Sequence, residues 1–401
     1  FKKCYRYSRY RQGYSLGWKY CSACYELPCS QGNASGNFFM ARIIINDWQK
    51  GVGQSPHVGF QSLQNVEISS KMGVVRPSFK LTKTTGSVIT TGYPTAIVYD
   101  AISATYYAID STGVLYKSTD TTNWSALTTT DYVLSGGRHN LALWKNYLVV
   151  VKDVSGQSQL QFYGPLNSPS WKTTIISGYD NGSGTSNQIS IISAQDGILY
   201  WGNGKVISSL REISGQTFLP TNSATYTITT SALDLPAQNN ISFLQELGTQ
   251  LMIGATTLIP QTSYIYPWDR VSQSFSLPII INDGAIGPAI TVARTMYFFT
   301  GGQGILWATN GVEAKVITRL PQNLFGFDSL VGNSIRILPN AIAQQRDRIL
   351  FGVSAGGTNQ APTGVWAYNT RTGSLVLQHT TSPEEFSGTT IIGSLLQTST
   401  S

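Results

Sequence analysis

The sequence carries little charge. Only 12% of its 401 residues are Asp, Glu, Lys or Arg, against a usual ~25%. Its four cysteines, Cys4, Cys21, Cys24 and Cys29, all precede Met40. The body after Met40 therefore needs neither disulfides nor cysteine-held metal for its stability. No run of 18 apolar residues occurs, so no helix is expected to span a membrane. No apolar stretch follows the basic start, which predicts no secretory signal. The three histidines, His57, His139 and His379, lie far apart, and none has a second ligand at helical or hairpin spacing. Neither a P-loop nor a G-x-G-x-x-G turn is present, so phosphate and dinucleotide cofactors are not signalled, and no cofactor is expected.

The excess of positive charge is local. The net charge is +7, but six basic residues and one acid (Glu26) lie before Met40, leaving 21 basic and 19 acidic residues in the remainder. A nearly neutral body gives no footprint for a nucleic-acid backbone, and no specific nucleic-acid motif is found.

What is abundant is turn and strand chemistry. The chain has 39 Gly, 21 Tyr and 9 Trp, with 41% hydrophobic residues, which excludes a disordered chain. The clearest unit is residues 284–320, GAIGPAITVARTMYFFTGGQGILWATNGVEAKVITRL. Strands are predicted at 289–293, 295–300, 305–308 and 314–318. Turns fall at Gly301-Gly302-Gln303-Gly304 and at Asn310-Gly311, the latter read as a two-residue hairpin with positive φ at both positions. No helical period is present, and the unit reads as one blade of a β-propeller.

The order of aliphatic strand, turn and aromatic strand recurs from Gly92 onward. With Tyr116, Tyr163, Trp201, Tyr266, Trp307 and Trp366 as anchors, the spacings are 47, 38, 65, 41 and 59 residues, within the range of propeller repeats. Their unevenness predicts insertions around 221–240 and 353–363. The fold predicted is all-β, a propeller of six to seven four-stranded blades. Six units are countable, and residues 388–396 resemble the first strand of a seventh. An open propeller leaves unpaired edges, so the ring is expected to be closed with help from N-terminal strands; the competing reading is a fragment.

Three segments result. Residues 1–39 form a basic, Cys-bearing leader with no usable period. It reads either as a zinc knuckle built on Cys21-Ser22-Ala23-Cys24 with Cys4 and Cys29, or as upstream sequence with no independent fold. Residues 40–85 supply strands and loops expected to complete a blade. Residues 86–401 are the propeller repeats.

Candidate sites are few. Ser118-Thr119-Asp120-Thr121-Thr122-Asn123-Trp124 resembles the Asp-box turn of sialidase-type propellers, one residue short and without its glycine. That resemblance implies a structural role for Ser118, Asp120 and Trp124. A glycosidase would need two facing carboxylates. Asp196, Glu212, Asp234, Asp269 and Asp283 are available, but spacing selects no two of them. Tyr179, Trp268 and Phe327 are candidates for stacking on sugar rings, with core or inter-blade packing as the competing reading. No catalytic residue is predicted.

Two stretches resemble tailed-phage propeller proteins. One is Trp48-Gln49-Lys50-Gly51-Val52-Gly53-Gln54-Ser55-Pro56, followed by Leu63-Gln64-Asn65-Val66-Glu67-Ile68 and Gly73-Val74-Val75-Arg76-Pro77. The other is Tyr264-Ile265-Tyr266-Pro267-Trp268-Asp269-Arg270 with Ser274-Phe275, then residues 301–311. The resemblance implies a non-enzymatic virion component at the tail, either a nozzle-like ring subunit or a host-adhesion propeller. Its implied partners are other virion tail proteins, copies of itself in a homo-oligomeric ring, and a host surface glycan. The alternative is a carbohydrate-binding or sialidase-like propeller.

Overall fold

The computed structural model describes residues 66–68, 75–77, 89, 92–127, 139–182, 189–257, 262–284, 286–300, 304–320, 335–355, 364–380 and 392–396. The leader with its four cysteines, His57 and Phe327 lie outside them.

A short hairpin, β1 (Val66–Ile68) and β2 (Val75–Pro77), precedes six antiparallel sheets. Blade 1 is β3 (Pro94–Asp100), β4 (Thr105–Asp110), β5 (Leu115–Ser118) and β6 (Ser125–Ala126). Blade 2 is β7 (His139–Trp144), β8 (Tyr147–Val154), β9 (Gln157–Gly164) and β10 (Ser170–Asp180). Blade 3 is β11 (Ser190–Ser193), β12 (Leu199–Asn203), β13 (Val206–Glu212) and β14 (Tyr226–Asp234). Blade 4 is β15 (Asn239–Leu247), β16 (Gln250–Thr257), β17 (Thr262–Trp268) and β18 (Ile279–Ile281). Blade 5 is β19 (Ala289–Val292), β20 (Thr295–Thr300), β21 (Ile305–Thr309) and β22 (Ala314–Arg319). In blade 6, β23 (Ile335–Arg336) and β24 (Ile342–Gln345) both pair with β25 (Arg348–Ala355), followed by β26 (Gly364–Asn369) and β27 (Leu375–Thr380).

Each blade is one contiguous run of chain, and the six form a β-propeller. The first strands face the axis. Ala96, Leu141, Ile191, Leu244, Ile290 and Ile342, one from each blade, line a central channel of about 320 Å³. Second strands are sandwiched between neighbouring blades and are apolar on both faces, as β8 shows: Tyr147 through Val151 are apolar and all buried. Outer strands such as β14 are mostly exposed on one face, and carry Thr and Ser there.

Two turns separate expectation from outcome. Between β7 and β8, Lys145 and Asn146 have φ of 49° and 62°, the paired positive values of a type I′ hairpin. At Asn310-Gly311 only Gly311 is in the left-handed region, at φ 97°. The loop there is four residues long, because Thr309 pairs with Ala314. The Asn310 side chain folds back to accept from Val312 N and Glu313 N at 3.0 and 3.2 Å, an Asx turn in place of a two-residue hairpin.

The anchors also resolve. Tyr116, Tyr163, Tyr266, Trp307 and Trp366 lie on third strands, whereas Trp201 lies on a second strand, β12. That displacement by one strand shortens one spacing and lengthens the next. The genuine insertion nearby is the β13–β14 connection, which holds a 3-10 turn at Ser223–Thr225.

Five seams are filled by apolar clusters. They lie between blades 1 and 2, 2 and 3, 3 and 4, 4 and 5, and 5 and 6. In the second, Trp201 is fully buried and donates Nε1–H to Ser158 Oγ across the seam at 2.9 Å. Among the described residues no such cluster spans blades 6 and 1. That seam is crossed by residues 392–395 and by Asn340. Ser394 makes a parallel bridge with Asn340, Leu395 N donates to Asn340 O at 2.9 Å, and Ile392 N donates to Ser354 Oγ at 2.8 Å. Asn340 Nδ2 donates to Thr95 O of blade 1 at 2.8 Å and to Asn140 Oδ1 of blade 2 at 3.1 Å. Asn140 Nδ2 in turn donates to Ile189 O of blade 3.

The C-terminal segment expected to open a seventh blade is thus part of the closure of a ring of six. Among the described N-terminal residues, β1 pairs with β2, and this hairpin lies against β27 at the outer edge of blade 6.

Candidate functional site

In four-stranded antiparallel blades, the turns from first to second strand and from third to fourth strand share one end of the ring. At that end, blades 2, 3 and 4 surround a polar depression of about 520 Å³ lined by Lys145, Asp196, Gly197, Ile198, Arg211, Glu212 and residues 269–271.

Local sequence sets each side chain. Lys145 sits at the tip of the type I′ turn of blade 2 and reaches Glu212 of blade 3 at 3.3 Å. Glu212 ends β13, and its other oxygen accepts from Phe218 N at 2.9 Å. The turn Asp196-Gly197 of blade 3 is held by Gly197 at φ 78° and by Asp196 Oδ1, which accepts from Ile198 N at 2.9 Å. Trp144 Nε1 donates to Gly197 O at 2.8 Å and ties this turn to blade 2.

Arg270 is the centre of the cluster. Its backbone is left-handed, φ 68°, in the turn after β17. Its guanidinium lies 2.6 Å from Glu246 of its own blade and 3.4 Å from Asp196 of blade 3, and it donates to Thr249 O at 3.0 Å. The Arg270 and Glu246 side chains are only 12% and 13% exposed, so this pair is shielded from solvent. Glu246 also accepts from Gln195 N. Tyr200 donates its hydroxyl to Asp196 Oδ2 at 3.1 Å. Burial, reinforced by the Asp196 charge, holds the Tyr200 phenol far above its ordinary range. Asp269 accepts from Val271 N and Ser272 N at 2.9 and 2.8 Å, and these donors lower its carboxyl below the usual value. The Arg211 side chain is exposed and makes no hydrogen bond or ion pair among the described residues.

Of the five carboxylates weighed from sequence, Asp196, Glu212 and Asp269 meet here, off the axis. Asp234 pairs with Lys205 at 2.9 Å, and Asp283 accepts from Thr300 Oγ1 at 2.7 Å; neither lines the depression. Sequence reasoning missed Lys145, Glu246 and Arg270. The signal available was the Asp269-Arg270 step directly after an aromatic strand, where a charged tip projects between blades.

The Asp-box-like turn occupies the same end of blade 1. Asp120 accepts from Thr122 N, Asn123 N and Asn123 Nδ2 at 2.9, 2.7 and 2.8 Å, and these bonds draw its carboxyl far below the usual range. Ser118 Oγ accepts from Thr121 N at 2.9 Å. Trp124 is half-buried and donates Nε1–H to Thr121 O of its own loop at 3.0 Å. The side-chain pattern recurs where the sequence motif does not. Asp269, Asn310 and Asn369 each cap the third turn of their blades by accepting two backbone N–H groups.

The aromatic candidates separate. Trp268 is 2% exposed, packs edge-on against Tyr200 at 5.6 Å and donates to Ser272 O, leaving no ring face for a sugar. Tyr179 is half-buried on the outer strand of blade 2. Among the described residues no group of three or more His, Cys, Asp or Glu is placed to hold a metal ion. No helix among them is long and apolar enough to cross a membrane.

No protein family matches the sequence, and no curated protein does. Solved structures match in shape. The β-propeller domain of Cps50 (Swd1) from Myceliophteria thermophila is 11% identical, over 72% of this chain and 86% of that one, with a TM-score of 0.48. The RRP9 WD40 repeats are 10% identical over 72% and 81%, with a TM-score of 0.46. Raptor from Chaetomium thermophilum is 8% identical over 75% of this chain and 26% of that one, with a TM-score of 0.48. At such identities the likeness is one of architecture alone, and the chain is an all-β propeller of six four-stranded blades.

Proposed function

We propose that the protein is a non-enzymatic interaction scaffold of a phage tail, docking another virion protein on the end face of blades 2 to 4. The observation that carries the reading is the way the acidic groups there are used. Glu212 is held by Lys145, Glu246 and Asp196 by Arg270, and Asp269 by its own turn. Carboxylates fixed as acceptors by neighbouring cations and backbone N–H groups present a set pattern of shape and charge to a partner. The exposed Arg211 and the Val271 tip, 89% exposed, offer a partner one cation and one apolar contact beside that fixed pattern. The tail assignment is supported by the resemblance of residues 48–77 and 264–311 to tail propellers.

The test is fractionation of purified particles together with binding of the isolated chain to tail proteins. Presence in particles and loss of binding in an Arg211→Glu, Val271→Asp variant are expected. Absence from particles, or turnover of sialyl or other model glycosides by the wild type but not by a Glu212→Gln variant, would overturn the reading in favour of a glycan-active propeller.

A further inference from the structure

The blade 6–blade 1 seam differs from the other five in being filled by a linear segment. Residues 392–395, Ile-Gly-Ser-Leu, lie extended in it, and every position meets a fitted feature. The Ile392 side chain sits over Gly352, where an added Cβ would overlap it. Gly393 passes so close to the Pro94 carbonyl and the Tyr93 ring that no side chain fits. Ser394 bridges to Asn340 as a parallel strand, Leu395 N bonds to Asn340 O, and the Leu395 side chain lines the central channel. The segment is held at one isolated bridge and by its backbone N–H groups, and the close approaches at Gly352 and Gly393 give the sequence preference.

We propose that this seam is a docking groove for an extended Ile-Gly-Ser-Leu segment, and that the segment of a second copy of this chain occupies it when copies assemble. Three observations point there. The groove is shaped to this sequence, which every copy carries. The segment's backbone is held by two hydrogen bonds, Leu395 N to Asn340 O and Ile392 N to Ser354 Oγ, with no apolar cluster among the described residues locking the seam. Residues 381–391 join the segment to β27, and eleven residues reach up to ~36–40 Å when extended, enough to enter a neighbour's seam. Exchange of identical elements is a low-cost route to assembly. The proposal stands apart from the end-face reading, since neither residues 392–395 nor Gly352 lies in that depression.

Two measurements test it. In the first, a protease site is placed within residues 381–391, and the folded chain is cut and mixed with a labelled peptide of residues 389–397. Saturable binding with release of the cut tail is expected, with at least a tenfold weaker affinity for the Gly393→Val peptide. In the second, two full-length populations of different mass are mixed at rising concentration and read by native mass spectrometry. Mixed oligomers are expected for the wild type and their loss for Gly393→Val. Equal binding of the two peptides, a cut tail that never exchanges, or a full chain that stays monomeric at every concentration would each overturn the proposal.

Discussion

The seam between blades 2 and 3 and the seam between blades 6 and 1 close the same ring by different physics. The first is a slab of apolar side chains, with Trp144, Phe162, Leu199, Trp201 and Phe218 interlocked and the Trp144 and Phe218 rings 4.6 Å apart. The second is carried by amide groups: Asn340 spans blades 6, 1 and 2, and residues 392–395 lie beside it with one bridge at Ser394. Apolar seams draw on area removed from water, at about 25 cal/mol per Å². An amide seam nets only ~0.5–1.5 kcal/mol per bond, because each bond replaces one to water. Among the described residues the ring therefore has five apolar joints and one amide joint, and the amide joint is set by sequence at both of its sides.

That contrast can be broken or sharpened by substitution. The largest effect is expected from Trp201→Ala, which empties the blade 2–3 slab and removes the indole donor to Ser158 Oγ. Unfolding in denaturant should show a loss of ~3–5 kcal/mol, and a loss below ~1 kcal/mol would mean that the slab is not the main support. Next is Arg270→Met, which takes the cation from Glu246 and Asp196 near the blade 3–4 seam. A loss of ~2 kcal/mol in denaturant unfolding is expected for this partly shielded cluster. Asn340→Ala should cost ~1–2 kcal/mol. Its distinguishing readout is hydrogen exchange, accelerated in β3 and β24 while β8 and β12 stay protected.

The smallest effect is alkaline. Burial, with Tyr297 nearby, pushes the Tyr368 phenol up to about 12. A folded-state value above the unfolded one contributes stability that is complete below the ordinary tyrosine range and is lost as pH rises through the folded value. Stability should therefore decline between pH ~10 and ~12, and Tyr368→Phe should soften that decline. Ultraviolet difference titration showing Tyr368 ionising with the exposed tyrosines would refute it.

Much of this architecture was legible beforehand, for a physical reason. A strand sandwiched between sheets must be apolar on both faces, so runs such as Leu148-Val149-Val150-Val151 and Met296-Tyr297-Phe298-Phe299 announce themselves. Residues 295–300 were predicted with the bounds observed. The count and the closure were harder. Trp201 misled because blade 3 carries its aromatic pair on the second strand, and composition does not say which strand of a blade an aromatic occupies. Residues 388–396 read as the start of a strand, yet their one bridge in the described part, from Ser394, is to Asn340, more than fifty residues upstream.

The end-face cluster was half legible. Three of its carboxylates were among the candidates, but which turns share an end follows only from the blade order. Arg270 joins Asp196 across a blade boundary that no sequence period marks. The cysteine-bearing leader, the zinc reading and Phe327 concern residues outside those described.

Because each blade is one contiguous run, no blade waits for a strand from the far end of the chain. During synthesis the blades can form in order as they emerge, each docking onto the one before through an apolar face. The ring cannot shut until residues 392–395 have left the ribosome, since Gly393 and Leu395 complete the last joint. Translation thus sets a timetable in which the joint between blades 6 and 1 follows the five apolar seams.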